Sequence, residues 1–212
     1  QGRLREAAAT CRQALQKIAE RGAAGFGSLA KLEVPLIEVL REQNELEEAH
    51  RRIEDVIERM RAWPMPTDRI FACLAQINVQ EARGDLTGAF ETLRAAKDLK
   101  AAQPVLANLA RSVDLAEVRL HLKSGDVAAA VRLMEDLQPG ASRVVFLRDQ
   151  ELLLLARLRL AQGRPDEANA ILTPLAGEAE AGGRKTAWIE ALALQACALH
   201  AQGQREAALT AL

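Results

Sequence analysis

Gln80–Leu99 reads QEARGDLTGAFETLRAAKDL, and the six residues from Gly84 to Ala89 inside it decide the fold. A residue suited to a turn, Gly84, is followed five places later by a small one, Ala89. The same phrase returns as Gly2…Ala7, Asn44…Ala49, Gly125…Ala130, Gly163…Ala168 and Gly203…Ala208. Successive anchors lie 42, 40, 41, 38 and 40 residues apart. Self-similarity at such a period marks stacked supersecondary units, each burying its apolar face on its neighbours. The expectation is an all-α chain, an α-α superhelix (solenoid) of helical hairpins with a period of about 40 residues. Each anchor is the turn between a first helix, A, and a second, B.

Gly or Asn suits that turn because helices commonly end in a left-handed residue. Asp85 and Asp126 follow their anchors, where a carboxylate caps helix B. Pro165 falls at the start of a B helix, where its missing N–H does no harm. The Ala five after the anchor lets helix B approach helix A closely. Further columns keep one face apolar. Nine after the anchor come Cys11, Ile53, Leu93, Met134, Leu172 and Leu212; twelve after come Ala14, Val56, Ala96, Leu137 and Leu175. Seven before it lie Ile37, Ile77, Val118, Ala156 and Ala196; ten before, Val34, Leu74, Leu115, Leu153 and Ala193. Breakers between hairpins are Gly22 to Gly27, Pro64 and Pro66, Pro104, Pro139 with Gly140, and Gly182 with Gly183. Thr67 and Ser142 are placed to cap the A helices after them. Pro35 and Pro174 fall inside helical patterns and predict a late start or a kink.

Composition agrees. The 212 residues are 49% hydrophobic, yet include only four Phe, two Trp and no Tyr. The better helix formers dominate. With 28 basic and 29 acidic residues the net charge is -1, which gives no electrostatic footprint for nucleic acid. Cys11, Cys73 and Cys197 are odd in number, far apart and without a C-x-x-C, so they read as free buried thiols of a reducing cytoplasm. No apolar run is long enough for a membrane span, and no signal-peptide pattern opens the chain. Gln1 and Gly2 begin at a repeat turn and Leu212 ends in mid-helix. The expectation is therefore a single domain over 1–212, of about five hairpins and a leading half repeat, excised from a longer protein.

The period and the turn-to-Ala spacing resemble the tetratricopeptide repeat (TPR). Its consensus has an aromatic where this chain has Leu, Val or Ile, and a period of about 34 residues. The small residue of helix A is often Ile or Val here. The phrases LARLRLAQGRPDEA, AEAGGRKTAWIEAL and ALHAQGQREAAL, with LREQNELEEAHRRIEDVIERM and QEARGDLTGAFETLRAAKDL, resemble the TPR-like region of MalT-type, LuxR-family transcription activators of bacteria. That resemblance implies a sensor region binding an inducer or an inhibitory protein. It lies between a P-loop ATPase and a helix-turn-helix. This chain has no G-x-x-x-x-G-K-[ST], no convincing helix-turn-helix and no matching charge, so ATP and DNA are expected only through domains outside it.

The sequence assembles no recognisable site for chemistry. GAAGFGS (22–28) lacks the preceding strand and following basic group of a phosphate loop and reads as an inter-repeat loop. His50, His121 and His200 have no metal-ligand spacing, no Ser-His-Asp set can be assembled, and no cofactor is expected. The chain is not expected to be an enzyme. Trp63 is expected to pack over a loop and Trp188 in the core.

The TPR resemblance implies a concave groove lined by A-helix positions. Six before the anchors are Glu38, Asn78, Arg119, Arg157 and Cys197; three before are Arg41, Glu81, Leu122, Leu160 and His200. Thirteen before are Lys31, Phe71, Ser112, Gln150 and Glu190. Asn78, Arg119 and Arg157 would form a polar ladder whose guanidinium forks suit a carboxylate, a phosphate or a peptide terminus. Pairing within the chain is the competing role, for instance Glu81 with Arg119. The expected ligand-binding set is thus Asn78, Arg119, Arg157, Glu38, Glu81, Phe71, Gln150 and His200. Two functions follow: a sensor for a small-molecule effector or a regulatory protein or peptide, or a stand-alone TPR scaffold for protein partners. Self-association through terminal repeats is compatible with either.

Overall fold

A left-handed residue stops the A helices. Asn44 (φ 62°), Gly84 (79°), Gly125 (85°), Gly163 (70°) and Gly203 (78°) all take that conformation in the computed structural model. The structure describes residues 2–20, 26–60 and 65–211, with side chains of 3–20, 32–60 and 65–211. Each of these turns closes the same way. The anchor N–H bonds the carbonyl three residues back, as Gly84 does to Glu81 at 3.2 Å. The next N–H reaches five back, as Asp85 does to Gln80 at 2.9 Å. This Schellman pattern satisfies carbonyls that the helix end leaves open. An added Cβ on Gly163 meets nothing within 4 Å. Gly163→Ala therefore carries only the backbone cost and should lose about 1–2 kcal/mol in urea unfolding, with Gly163→Asn losing less.

Among the described residues every element is helical. The B helix α1 (Gly2–Glu20) precedes the pairs α2 (Phe26–Glu42) with α3 (Leu46–Met60) and α4 (Pro66–Arg83) with α5 (Leu86–Ala102). Then come α6 (Ala107–Lys123) with α7 (Val127–Leu137), and α8 (Val145–Ala161) with α9 (Pro165–Ala181). The last pair is α10 (Lys185–Ala201) with α11 (Arg205–Thr210). The caps fall where the sequence placed them after the anchors. Asp85 accepts from Gly88 N at 2.9 Å, Asp126 accepts from Ala129 N at 3.0 Å, and Pro165 opens α9.

The helices gather into two compact units, Gln1–Ala116 and Glu117–Leu212. In the first, α2 packs on α1, α3 and α4, and α4 on α3 and α5. Its core joins Leu36, Ile37 and Leu40 to Ile53, Val56 and Met60, with Ala72, Ala75 and Val79 from the next A helix. In the second, α9 packs between α8 and α10, and those two A helices also touch. Leu153, Ala156, Leu172, Leu175, Ala191 and Ala198 belong to its core. Ala49, Ala89, Ala130 and Ala168, all five after an anchor, are fully buried. The seven-before column is buried in all five hairpins.

Several local expectations are corrected. In α1 the buried small residue is Ala8, while Ala7 is half-buried. Ala193 is exposed, because α10 carries apolar residues around more of its circumference than it buries. Thr67 lies inside α4, whose N-cap is Met65; Val144 caps α8, and the Ser142 hydroxyl instead accepts from Val144 N at 3.3 Å. Of the late start or kink expected at Pro35 and Pro174, the late start is contradicted: α2 begins at Phe26, so Phe26, Gly27 and Ser28 are helix and not loop, and α9 begins at Pro165. Cys73 is buried, but Cys11 is only partly so and Cys197 is exposed. Trp188 is half-buried against the core of the second unit. Trp63, Pro64 and Gly22 to Gly25 lie outside the described residues.

Two buried carboxylates tie the second unit together. Asp149, 3% exposed, accepts from Arg184 Nε at 2.6 Å, joining α8 to the turn before α10. Glu151 Oε2 accepts from Gly140 N at 2.8 Å, so a fully buried acid holds the loop between α7 and α8.

Candidate functional site

The A helices of neighbouring hairpins meet along polar positions. In the first unit Glu38 of α2 is the hub: its Oε1 accepts from Asn78 Nδ2 of α4 at 2.9 Å. Its Oε2 accepts from Arg41 Nε at 3.0 Å, and Arg41 also pairs with Glu42. Burial alone would lower the Arg41 pKa, but Glu38 and Glu42 overcome it and hold the guanidinium above its ordinary value. Glu38 and Asn78, the six-before residues of two consecutive repeats, therefore touch. Phe71, one A-helix face away from the core, is exposed. Glu81 is buried and has an interaction partner in the chain.

In the second unit Arg157 Nη1 of α8 lies 2.7 Å from Glu190 Oε1 of α10, again linking consecutive A helices. Arg119, in α6, is half-buried and engaged within the chain. Gln150 and His200 are exposed on α8 and α10. The sequence columns thus locate a polar A-helix face in each unit, and its carboxylates and guanidinium groups largely satisfy one another. Ion pairs this open to water are worth about 0–1 kcal/mol, so a competing carboxylate can displace them.

A second feature has no counterpart among the sequence columns. A cleft of about 270 Å³ opens between α3, α4 and α5. Ile57 and Met60 of α3, and Ala95 and Leu99 of α5, supply apolar walls; Arg69, Cys73 and Gln76 come from α4, and Glu91 and Thr92 from α5. Arg69, Cys73 and Gln76 stand at i, i+4 and i+7, the spacing that puts side chains on one helix face. Phe71 and Asn78 lie roughly 180° around α4, so this face is opposite the polar A-helix one. That spacing was the available signal, but nothing in it distinguishes a cleft from ordinary packing. The Thr92 hydroxyl is already committed to Gln80 Oε1 at 3.0 Å. Burial pushes the Cys73 thiol up to about 11, and nearby Arg69 offsets this only in part.

Thiolate is the reactive form, so Cys73 should be nearly inert to iodoacetamide at pH 8, where about one molecule in a thousand is ionised. Exposed Cys197 should be modified first and Cys73 only above about pH 10 or after unfolding, as peptide mapping by mass spectrometry would read. Early labelling of Cys73 would show that its burial is wrong. Among the described residues no cluster of three His, Cys, Asp or Glu could hold a metal ion, and no helix is long and apolar enough to cross a membrane.

Alternating A and B helices with left-handed stops and a buried Ala at each close approach define a TPR-like helical repeat protein. Solved structures share that fold. A Podosopora anserina protein described as kinesin light chain, with nearly identical TPR-like repeats, superposes with a TM-score of 0.57 at 19% identity over 85% of this chain and 90% of its own. A single-substitution variant of it gives 0.58 at 18% identity over the same shares. No curated protein matches in sequence. The family of MalT-like TPR regions matches residues 1–212, and the chain belongs to it.

Proposed function

We propose that this chain is the effector- or partner-binding sensor region of a bacterial, cytoplasmic, LuxR-family transcription regulator. The observation that carries the reading is the match of a MalT-like TPR region to the whole chain. The polar A-helix faces, with Glu38 on Asn78 in one unit and Arg157 on Glu190 in the other, supply groups suited to a carboxylate-bearing small molecule or a peptide. Binding there competes with weak internal pairs and biases the chain between packing states. Coupling to an ATPase and a DNA-binding domain, both outside this chain, would be a population shift.

The test is the parent protein. A P-loop and a helix-turn-helix in the same reading frame support a regulator; flanks lacking both overturn it. Within the chain, Arg119→Ala with Arg157→Ala should weaken effector binding by about tenfold or more, since a hydrogen bond to a charged group is worth about 1.5–3 kcal/mol. Unchanged affinity in a folded double variant removes the A-helix face from the reading. TPR-like repeats generally mediate protein–protein binding, which favours a second reading, a scaffold for a protein partner.

A further inference from the structure

We propose that the cleft between α3, α4 and α5 is a binding site for a small apolar monocarboxylate, held by the guanidinium of Arg69. This goes beyond the A-helix face, lies on the opposite side of α4 and does not rest on the sensor reading.

The cleft sets polar side chains beside apolar walls. Among the described residues, Arg69, Gln76 and Glu91 make no side-chain hydrogen bond or ion pair, although all three line the cleft. Exposed Arg3, Arg5, Arg51 and Arg94 of this unit also lack an ion pair among the described residues, but its other half-buried arginines, Arg41, Arg52 and Arg111, each have a partner. Arg69 and Gln76 are half-buried, so each is partly stripped of water without a protein partner in exchange. A carboxylate answers the guanidinium fork with two parallel bonds, and the Gln76 amide can donate to the same oxygens.

The walls set the rest of the ligand. Ile57, Met60, Ala95 and Leu99 offer no polar group, so the body of the ligand is apolar. At about 270 Å³ the cleft is below the usual range of about 300–1,000 Å³ for drug-sized pockets. It suits an aryl or short branched acid. Glu91, an exposed residue of the lining, adds a negative charge to the cleft. It therefore selects against phosphate esters and dicarboxylates, whose second charge would face it. A single anionic head on an apolar tail is the chemistry that satisfies all these groups.

The test uses the 212-residue chain and 4-phenylbutyrate, its primary amide and succinate as probes, read by isothermal titration calorimetry. The acid should bind saturably with a Kd of ~1 mM or tighter, and the amide and succinate about tenfold more weakly. Arg69→Gln should abolish the preference for acid over amide, while Glu91→Gln should retain it and admit succinate. Ala95→Leu is a second variant that does not depend on Arg69. Position 95 is exposed and Leu is a good helix former, so the fold survives while the side chain fills the cleft and binding is lost. Bound acid should also slow alkylation of Cys73 at about pH 10 and leave Cys197 unaffected. The assignment is overturned if acid and amide bind alike, if no saturation appears up to about 10 mM, or if folded Ala95→Leu binds as well as the parent.

Discussion

Arg184→Met is expected to destabilise the second unit by about 3–5 kcal/mol, because it leaves a buried carboxylate with no counter-charge. The Asp149 side chain is 5% exposed and that of Arg184 is 27% exposed, so the two ends of the bridge are not equivalent. Asp149 receives Arg184 Nε at 2.6 Å and the second guanidinium nitrogen at 3.5 Å. With the guanidinium gone, water cannot reach the acid without opening the contact between α8 and the turn before α10. In the reciprocal change, Asp149→Leu, the released guanidinium swings into solvent, and the loss should be smaller. The double variant should recover much of the first loss, since a well-packed apolar pair often replaces a buried ion pair at little cost. Urea unfolding of all four proteins gives the cycle. If Arg184→Met loses under about 1 kcal/mol, the bridge does not hold α8 to α10.

Ile53→Ala should cost the first unit about 2–5 kcal/mol. Ile53 stands nine residues after its anchor, is fully buried, and belongs to the core that joins α2, α3 and α4. The loss combines the transfer of the deleted carbons with the cavity left where three helices cannot all close in. Ile53→Val should lose about 0.5–1.5 kcal/mol, and the same pair of substitutions at exposed Ile189 should change little. Denaturant midpoints measured on the four variants separate cavity formation from altered helix propensity. Similar losses at positions 53 and 189 would contradict the assigned burial.

The hairpins were legible because what defines them is local. A left-handed stop at Gly84, a carboxylate cap at Asp85 and a methyl-sized contact at Ala89 are each set by one residue and its nearest turn. The A-helix columns were legible as positions: Glu38 and Asn78 share a column and do touch. Their pairing was not, because long side chains choose partners by rotamer and not by period. Glu38 also binds Arg41, and Arg157 pairs with Glu190, both residues of other columns. Cys197 is exposed, against expectation, because six before the anchor is the polar position of the A helices. The α3–α4–α5 cleft escaped the sequence because it depends on what two B helices leave open. Ala95, small on an exposed face, says nothing by itself about space beside Cys73.

The repeated turn also bears on how a gene of this kind changes length. Ser124, Gly125 and Asp126 stand at one turn, and Gly84 with Asp85 stands at the previous one. An unequal crossover between those two Gly-Asp codon pairs duplicates residues 84–124 in frame, and the new join reads Ser-Gly-Asp, as the parent does at 124–126. The recombinant gains one B helix and one A helix with no foreign sequence at the seam. Its new Gly inherits the stop, and its new Asp the cap, that the parent turn already uses. Copy number in such a gene can therefore drift without any turn having to be invented.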